Sequence, residues 1–271
     1  MTVTHAVTPT GPERAGRAGI GWAASDAVVM VQRSIRHLMR DLDSMLMSAL
    51  LPVMLLLLFV YVFGGAITTG GHYVNYVVPG IIVLCAGYGA SSTAIRVCTD
   101  MTGGMIDRFR SMPIRSSAAV MGHVVASLAR NLFSTVIVVV VALLCGFHPT
   151  AGVGQWAAAL GIISLYVLAI SWLSVVTGLV AGSVESAAAL GFVLLFLPYL
   201  SSAFVPTDTM PHVLRPIAAH QPVTPLIETI RGLLVGGPVG HSALVTVAWC
   251  LGTITVVAPL SAHLLRTRTR G

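Results

Sequence analysis

The stretch MLMSALLPVMLLLLFVYVFGGA, residues 45–66, carries no charged side chain and is continuously apolar. A helix needs about 20 such residues to cross a bilayer, whereas a strand of a transmembrane barrel would alternate polar and apolar positions. Comparable apolar stretches follow at 76–98, 124–146, 156–181, 186–205 and 241–264. The sequence therefore predicts an all-α integral membrane protein with six transmembrane helices.

The composition of the whole chain agrees with a bilayer as its main solvent. Of the 271 residues, 56% are hydrophobic and only 9% are charged, where a soluble domain carries about a quarter charged residues. All 15 basic residues are Arg, so the net charge of +6 is a guanidinium charge. These residues flank apolar stretches instead of lining one face of a soluble domain, so we expect lipid and not nucleic acid as the partner.

The Arg residues are also distributed unevenly between the two sides of the predicted membrane domain. Arg215 and Arg231 lie in outer loops, and Arg130 lies near the inner end of the third stretch. The inner segments hold all the others: Arg14, Arg17, Arg33, Arg36, Arg40, Arg96, Arg108, Arg110, Arg115, Arg266, Arg268 and Arg270. Because basic residues concentrate on the cytoplasmic side, we expect a multi-pass plasma-membrane protein with both termini in the cytoplasm.

The residues before the first apolar stretch divide into two segments. Residues 1–24 contain Pro, Gly and Arg without an apolar core and are predicted to form a flexible cytoplasmic tail. In residues 25–43, SDAVVMVQRSIRHLMRDLD, apolar residues recur every three or four positions and leave Arg elsewhere, which predicts an amphipathic interfacial helix. A soluble helix packed on a partner is the alternative. The six-span membrane domain then covers 44–265, and 266–271 is a basic cytoplasmic tail.

The predicted outer loop between the fifth and sixth stretches is rich in Pro, which excludes one continuous helix. We expect short helices there, one of them capped by Thr224, continuing through Leu234 and ending at Gly236. Glu228 and Arg231, three positions apart, lie on its polar side. An ordinary surface pair is a simpler interpretation of these two residues than a substrate site.

The chain shows no catalytic constellation and no motif that binds a cofactor. A P-loop needs Lys to reach the terminal phosphates of ATP, and this sequence contains no Lys. The four Cys residues show neither CxxC spacing nor a neighbouring His cluster, so we expect no metal site. The nine acidic residues lie at or outside the ends of the apolar stretches, which disfavours ion-coupled transport. A proton relay through His123 or His263 stays open as an alternative.

Two polar residues lie near membrane depth, Arg130 and Asn131 in SLARNLF. One interpretation is that they line a pathway or an interface. The other is that the Arg130 side chain extends to the inner lipid headgroups.

The charged segment GGMIDRFRSMPI, residues 103–114, separates the second and third apolar stretches. Gly103 and Gly104 break the preceding helix, and Pro113 disfavours helix at the residue before it. Helical spacing then separates an apolar side from a charged side, which predicts a short amphipathic cytoplasmic helix. The apolar side comprises Met105, Ile106, Phe109 and Met112, and the charged side Asp107, Arg108 and Arg110.

Two blocks carry a resemblance to a known family. GGMIDRFRSMPIRSSAAVMGHVVASLARNL, residues 103–132, resembles the cytoplasmic connection of ABC type 2 permeases, in particular the daunorubicin/doxorubicin-resistance-type subfamily of actinobacteria. FLPYLSSAFVPTDTMPHVLRPIAAHQPVTPLIETIRGLL, residues 196–234, resembles that subfamily's fifth span and outer loop. The six-span layout with an amphipathic amino-terminal helix agrees over nearly the whole chain.

The resemblance implies a permease without an ATPase site of its own, acting as a homodimer with a separate ATP-binding-cassette ATPase that binds ATP and Mg. It also implies that Met105 to Pro113 form the coupling helix that docks onto this ATPase. The expected function is outward movement of an amphipathic drug-like or lipid-like substrate. An ion-coupled secondary efflux carrier and a non-transporting membrane assembly subunit are the alternatives.

Overall fold

The computed structural model describes residues 42–67, 72–103 and 116–270, and these residues form helices without any β-strand. The helices are α1 Leu42–Leu57, α2 Tyr73–Thr102, α3 Ser116–Leu144, α4 Val153–Val180, α5 Val184–Phe196, α6 Leu214–His220, α7 Val223–Val235 and α8 Gly240–Arg270. Helix α1 continues as a π-helical turn, Leu58–Phe63, and α5 continues as a 3-10 turn, Leu197–Leu200.

The predicted segment 1–24 lies outside the described residues. The predicted interfacial helix, 25–43, also lies outside them except for Leu42 and Asp43, which begin α1. Both therefore stay predictions.

One end of the bundle gathers the loops around α7, and we call it the α7 end. The Tyr73 hydroxyl at the start of α2 donates a hydrogen bond to the carbonyl of Phe204 at 3.1 Å. The Thr150 N–H, just before α4, donates to the carbonyl of Leu234 at 3.0 Å. The Phe59 ring, in the turn after α1, stacks on the Phe204 ring with centroids 4.2 Å apart.

The opposite end joins the end of α2 to the start of α3 and to the ends of α4 and α8. Leu265 of α8 packs in one apolar cluster with Val97, Val120 and Leu179. The long helices and α5 therefore run alternately between the two ends. As a consequence, α1 begins and α8 finishes at the same end.

The second helix, α2, forms the centre of the molecule. It contacts α1, α3, α4, α5 and α7. In its most apolar stretch 78% of the residues are buried, against 17% for the corresponding stretches of α1 and α8. Glycines permit this packing, because a Cβ at Gly80 would lie 2.7 Å from the Ala203 Cβ and one at Gly87 would lie 3.4 Å from the Leu195 Cα. The peripheral helices α1 and α8 consequently leave most of their apolar side chains at least partly exposed.

Five of the described helices are long and apolar enough to cross a membrane. They are Met45–Phe63, Tyr73–Thr102, Val120–Leu144, Val153–Val180 and Gly240–Leu265. The remaining apolar helix, Val184–Leu200, is shorter than the span 186–205 expected from its sequence. Its last turn contains Pro198 and is a 3-10 helix, and the next residues, 201–204, form a turn instead of further helix. An all-helical membrane domain is thus confirmed, with five helices of crossing length.

The Pro-rich loop forms two short helices, α6 and α7, as the sequence predicts. The start of α7 differs from the prediction in one respect. Thr224 does not cap it, because the helix begins one residue earlier, at Val223, with Pro222 at the N-cap position. The Thr224 hydroxyl instead donates to the carbonyl of Ala218 in α6 at 2.6 Å and so joins the two helices. The helix ends at Gly236, whose φ of 97° is a backbone conformation that favours glycine.

Candidate functional site

The predicted coupling helix occupies the connection between α2 and α3. Its residues from Gly104 to Ile114 lie outside the described part of the chain, so the roles assigned to Met105, Ile106, Asp107, Arg108, Phe109, Arg110, Met112 and Pro113 stay predictions. The structure describes the two helix ends that flank the connection. The first is the end of α2, where the N–H of Gly103 donates to the carbonyl of Thr99 at 2.8 Å, and the second is the start of α3 at Ser116.

A polar contact joins these two flanking helices. The His123 Nε2 atom on α3 lies 2.9 Å from the Asp100 Oδ2 atom in the last turn of α2. The side chains are partly accessible, with exposed fractions of 24% for His123 and 31% for Asp100. With Nε2 protonated, the imidazole donates to the carboxylate and fixes the spacing of the helices at the point where the connection leaves them.

Arg130 and Asn131 lie inside the helix packing about two turns after His123 on α3. Only 6% of Arg130 and 2% of Asn131 is exposed. The Arg130 Nη1 atom donates a long hydrogen bond, 3.5 Å, to the Ser92 hydroxyl of α2. The Asn131 amide donates to the Ser127 carbonyl at 2.9 Å and abuts Gly89, where no Cβ would fit.

A hydroxyl pair extends this polar cluster to α4. The Ser171 hydroxyl donates to the Ser127 hydroxyl at 2.8 Å, and both side chains are buried. Within the packed helices the cluster ties α2, α3 and α4 together through hydrogen bonds, as buried polar groups in a membrane domain require. A role of Arg130 and Asn131 in a pathway or interface stays a prediction.

Arg231 of α7 forms the main polar contact at the α7 end. Its Nη2 donates to the carbonyl of Ser202 at 2.7 Å, and its Nε and Nη2 donate to the carbonyl of Tyr76 at 3.3 Å and 3.2 Å. The guanidinium carbon also lies 3.8 Å from the centroid of the Tyr76 ring, a cation–π geometry. One side chain therefore joins α7, α2 and the turn after α5.

Arg231 is partly buried, and this burial affects the pKa of its guanidinium. Burial lowers the pKa of the Arg231 guanidinium, while Tyr76 and Glu228 act in the opposite direction. A guanidinium nevertheless stays protonated in proteins, so the group is a fixed positive charge. Glu228 is exposed and accepts a hydrogen bond from the Ser242 hydroxyl of α8 at 3.2 Å. Arg231 and Glu228 thus contact different elements of the fold.

The sequence predicted Arg231 on the polar side of α7 but did not predict the groups that its guanidinium binds. Both partner groups are backbone carbonyls, which no side-chain pattern reveals. The contact between Asp100 and His123 was also missed, although a signal for it exists. Asp100 lies just after the predicted span 76–98 and His123 just before the span 124–146, which predicts both residues on the same side of the membrane.

The packed apolar helices, five of them long enough to cross a membrane, define a multi-pass membrane protein. Residues 26–235 match the ABC-2 type transporter family, and the chain belongs to that family. It is a transmembrane subunit of an ABC transporter, and the family implies a separate ABC ATPase as its partner.

Individual relatives point to one branch of this family. The chain is 27% identical to the daunorubicin resistance ABC transporter permease protein DrrB1 of Streptomyces coeruleorubidus, over 81% of this chain and 78% of the relative. It is 22% identical to the probable doxorubicin resistance ABC transporter permease protein DrrC of Mycobacterium tuberculosis, over 90% of each chain, in strains CDC 1551 / Oshkosh and H37Rv alike. The chain is therefore homologous to drug-resistance ABC permeases.

Proposed function

We propose that this chain moves an amphipathic drug-like or lipid-like molecule outward across the plasma membrane, driven by a separate ABC ATPase. The observation that carries the proposal is the family match over residues 26–235, which spans both the charged connection and α7. Relatives named for daunorubicin and doxorubicin resistance support an amphipathic substrate. The absence of Lys, and so of a P-loop lysine, supports an external source of energy.

The coupling step is proposed for the connection between α2 and α3. Asp107, Arg108 and Arg110 would meet the ATPase, while the apolar side of the same helix packs on the permease. Closure of the ATPase around nucleotide would then shift the ends of α2 and α3 between two discrete arrangements. The contact between Asp100 and His123 lies where that shift enters the described helices.

The topology proposed for the complex is a dimer of this chain with both termini in the cytoplasm. Because α1 begins and α8 finishes at the same end of the bundle, an even number of membrane crossings is expected. We therefore propose Val184–Leu200 as the sixth crossing, although at 1.5 Å per residue it spans about 26 Å and needs a locally thinner bilayer. The α7 end is then the outer end.

The test is ATP-driven transport by this chain and its ATPase in inside-out vesicles, with daunorubicin as the first probe. We expect vanadate-sensitive uptake, loss of ATPase co-purification in the Arg108→Ala/Arg110→Ala double variant, and a matching loss of uptake. Arg215→Ala is the matched control for co-purification of the ATPase, because Arg215 is an exposed cation at the other end of the molecule.

The outcomes separate the proposed function from its alternatives. Uptake that a protonophore abolishes and vanadate spares would indicate an ion-coupled carrier. An ATPase that binds the permease without any uptake of several amphipathic probes would indicate an assembly subunit. If the double variant kept both association and uptake, the coupling assignment would be wrong.

A further inference from the structure

A cavity of about 330 Å³ opens at the α7 end between the turn after α5, the short turn Thr207–Thr209 and α6. Its volume falls at the lower end of the range for pockets that bind small molecules. Most of its wall is apolar, contributed by Tyr199, Leu200, Val205, Met210, Leu214 and Ile217.

A continuous series of aromatic rings passes this cavity, and we call it the aromatic ladder. It begins on the exposed face of α5, where 57% of Phe192 and 46% of Phe196 is accessible. Phe196 contacts Tyr199 in the cavity wall with ring centroids 5.6 Å apart. The ladder continues from Tyr199 to Phe204 at 5.4 Å and from Phe204 to Phe59 at 4.2 Å.

The far end of the ladder lies in the π-helical turn after α1. There Phe59 contacts Phe63 with centroids 5.4 Å apart, and Phe63 is again exposed. The ladder therefore connects two exposed apolar surfaces, and its member Tyr199 forms part of the cavity wall.

Charged groups adjoin the cavity wall. Asp208 precedes the lining residue Thr209, and Arg215 follows the lining residue Leu214. The Arg215 Nη2 atom donates to the Asp208 Oδ1 atom at 2.7 Å, and both side chains are exposed. An apolar wall with an accessible ion pair beside it suits a molecule that has an apolar body and a charged group.

We infer that this cavity binds an amphipathic molecule with a planar aromatic body at the outer end of the export route. The ladder favours an aromatic body over an alkyl chain, because stacking on Tyr199 adds an attraction beyond that of apolar burial. A cationic group on the molecule would gain from the face of an aromatic ring, while Asp208 is already paired with Arg215. The position on the export route rests on the proposed function, whereas binding itself does not.

The binding test uses the full-length chain in lipid nanodiscs, without ATPase and without nucleotide. Thr209→Cys places a thiol in the accessible wall, while the native Cys85, Cys98 and Cys250 are buried. The measured quantity is the rate at which a polar maleimide modifies this thiol, corrected for the unsubstituted chain. Ethidium, a planar aromatic cation, should slow that rate about tenfold at ten times its Kd, as simple occupancy of the site requires.

Two comparisons decide the site and the class of ligand. Ile217→Trp and Met210→Trp narrow the cavity and should each weaken protection by ethidium, whereas Val213→Trp should retain it. Val213 is the matched control because it lies close by, is 76% exposed and does not line the cavity. Dodecyltrimethylammonium, with the same charge and a straight chain, should need at least about ten times the concentration of ethidium, a difference of one decade in Kd.

Absence of protection by ethidium overturns the inference, and so does full protection in both folded Trp variants at 217 and 210. Equal protection by both probes overturns the assignment of an aromatic ligand. The uptake experiment and the protection experiment can each give a negative result independently of the other. Protection without ATP-driven uptake refutes the proposed export and leaves the site standing, whereas uptake without protection refutes the site alone.

Discussion

At the scale of single residues, Arg231 shows how one cation organises the Pro-rich loop. The residue lies on a short helix that would be marginal in isolation, and its guanidinium reaches two carbonyls from two other segments. A planar group with five donors can bind both carbonyls while it stacks on the Tyr76 ring, which a Lys ammonium cannot do. The side chain thereby fixes α7 against the centre of the molecule.

We expect Arg231→Ala to lower the free energy of unfolding by about 2 to 3 kcal/mol, the range for hydrogen bonds that involve a charged group. Arg231→Lys should recover only part of this loss, since it restores the charge without the fork of donors. Denaturation of the purified protein in mixed micelles, followed by circular dichroism, measures both variants.

Arg215→Ala serves as the reference for this series. Its ion pair with Asp208 is exposed, so we expect a change of at most about 1 kcal/mol. An Arg231→Ala variant as stable as Arg215→Ala would contradict the role of Arg231 as a cross-link.

At the scale of secondary-structure elements, the contact between α2 and α4 depends on the absence of a side chain at one position. A Cβ at Gly178 of α4 would lie 2.6 Å from the carbonyl oxygen of Ala94 and 2.8 Å from the Cβ of Val97. Small residues let membrane helices approach this closely, where dispersion contacts replace the hydrophobic effect as the main attraction. At Gly161 of the same helix, by contrast, a Cβ would meet no neighbouring side chain or helix within 4 Å among the residues that the structure describes.

These two glycines form a matched pair for a test of the α2 to α4 contact. Gly178→Ala should destabilise the protein by about 1 to 3 kcal/mol, because the backbone of α2 has to move to admit the methyl group. Gly161→Ala should be neutral or stabilising by at most about 1 kcal/mol, since it only improves helix propensity. Unfolding midpoints of the two variants decide the matter, and equal midpoints would show that the helices do not pack as described.

At the scale of the whole molecule, the two ends of the bundle differ in how they are held together. The α7 end is covered by α6 and α7 and joined through Arg231. The opposite end, from which the charged connection leaves, is joined by the contact of Asp100 with His123 and by an apolar cluster around Leu265. If the ATPase moves the connection, the partly exposed contact between Asp100 and His123 should therefore change before the buried packing of the helices does.

We predict that Asp100→Ala weakens coupling between ATP hydrolysis and transport more than it weakens binding of the ATPase. A coupling loss at the low end of the usual range, about 1 kcal/mol, corresponds to an approximately fivefold drop in substrate moved per ATP hydrolysed. The ratio of uptake to phosphate release in vesicles measures it, and the exchanged pair Asp100→His/His123→Asp should restore part of the ratio.

Thr102→Ala is the control for the coupling experiment, because among the described residues the Thr102 hydroxyl bonds within its own helix, at the same end of α2. If Thr102→Ala and Asp100→Ala lowered the ratio equally, the effect would belong to the helix end and not to the contact with His123.

Much of this architecture could be predicted from local sequence. Uninterrupted apolar runs leave a helix as the only structure that satisfies backbone hydrogen bonds in lipid, so the helices of α1 to α4 and α8 follow directly. Pro and Gly delimit α7 for equally local reasons, namely a fixed φ at one end and a positive φ at Gly236 at the other. The absence of Lys likewise excludes a P-loop lysine without reference to any fold.

The sequence by itself thus determined the class of protein, the approximate helices and the charged connection between α2 and α3. The tertiary structure alone decided that α2 is central, that Arg231 binds carbonyls of Tyr76 and Ser202, and that Asp100 meets His123. It also decided that Tyr199 in the wall of one cavity contacts Phe204, which stacks on Phe59. The physical reason is that periodicity and propensity act within a few turns of helix. Contacts between distant helices instead depend on close packing, where the absence of one Cβ or the direction of one carbonyl selects the neighbour.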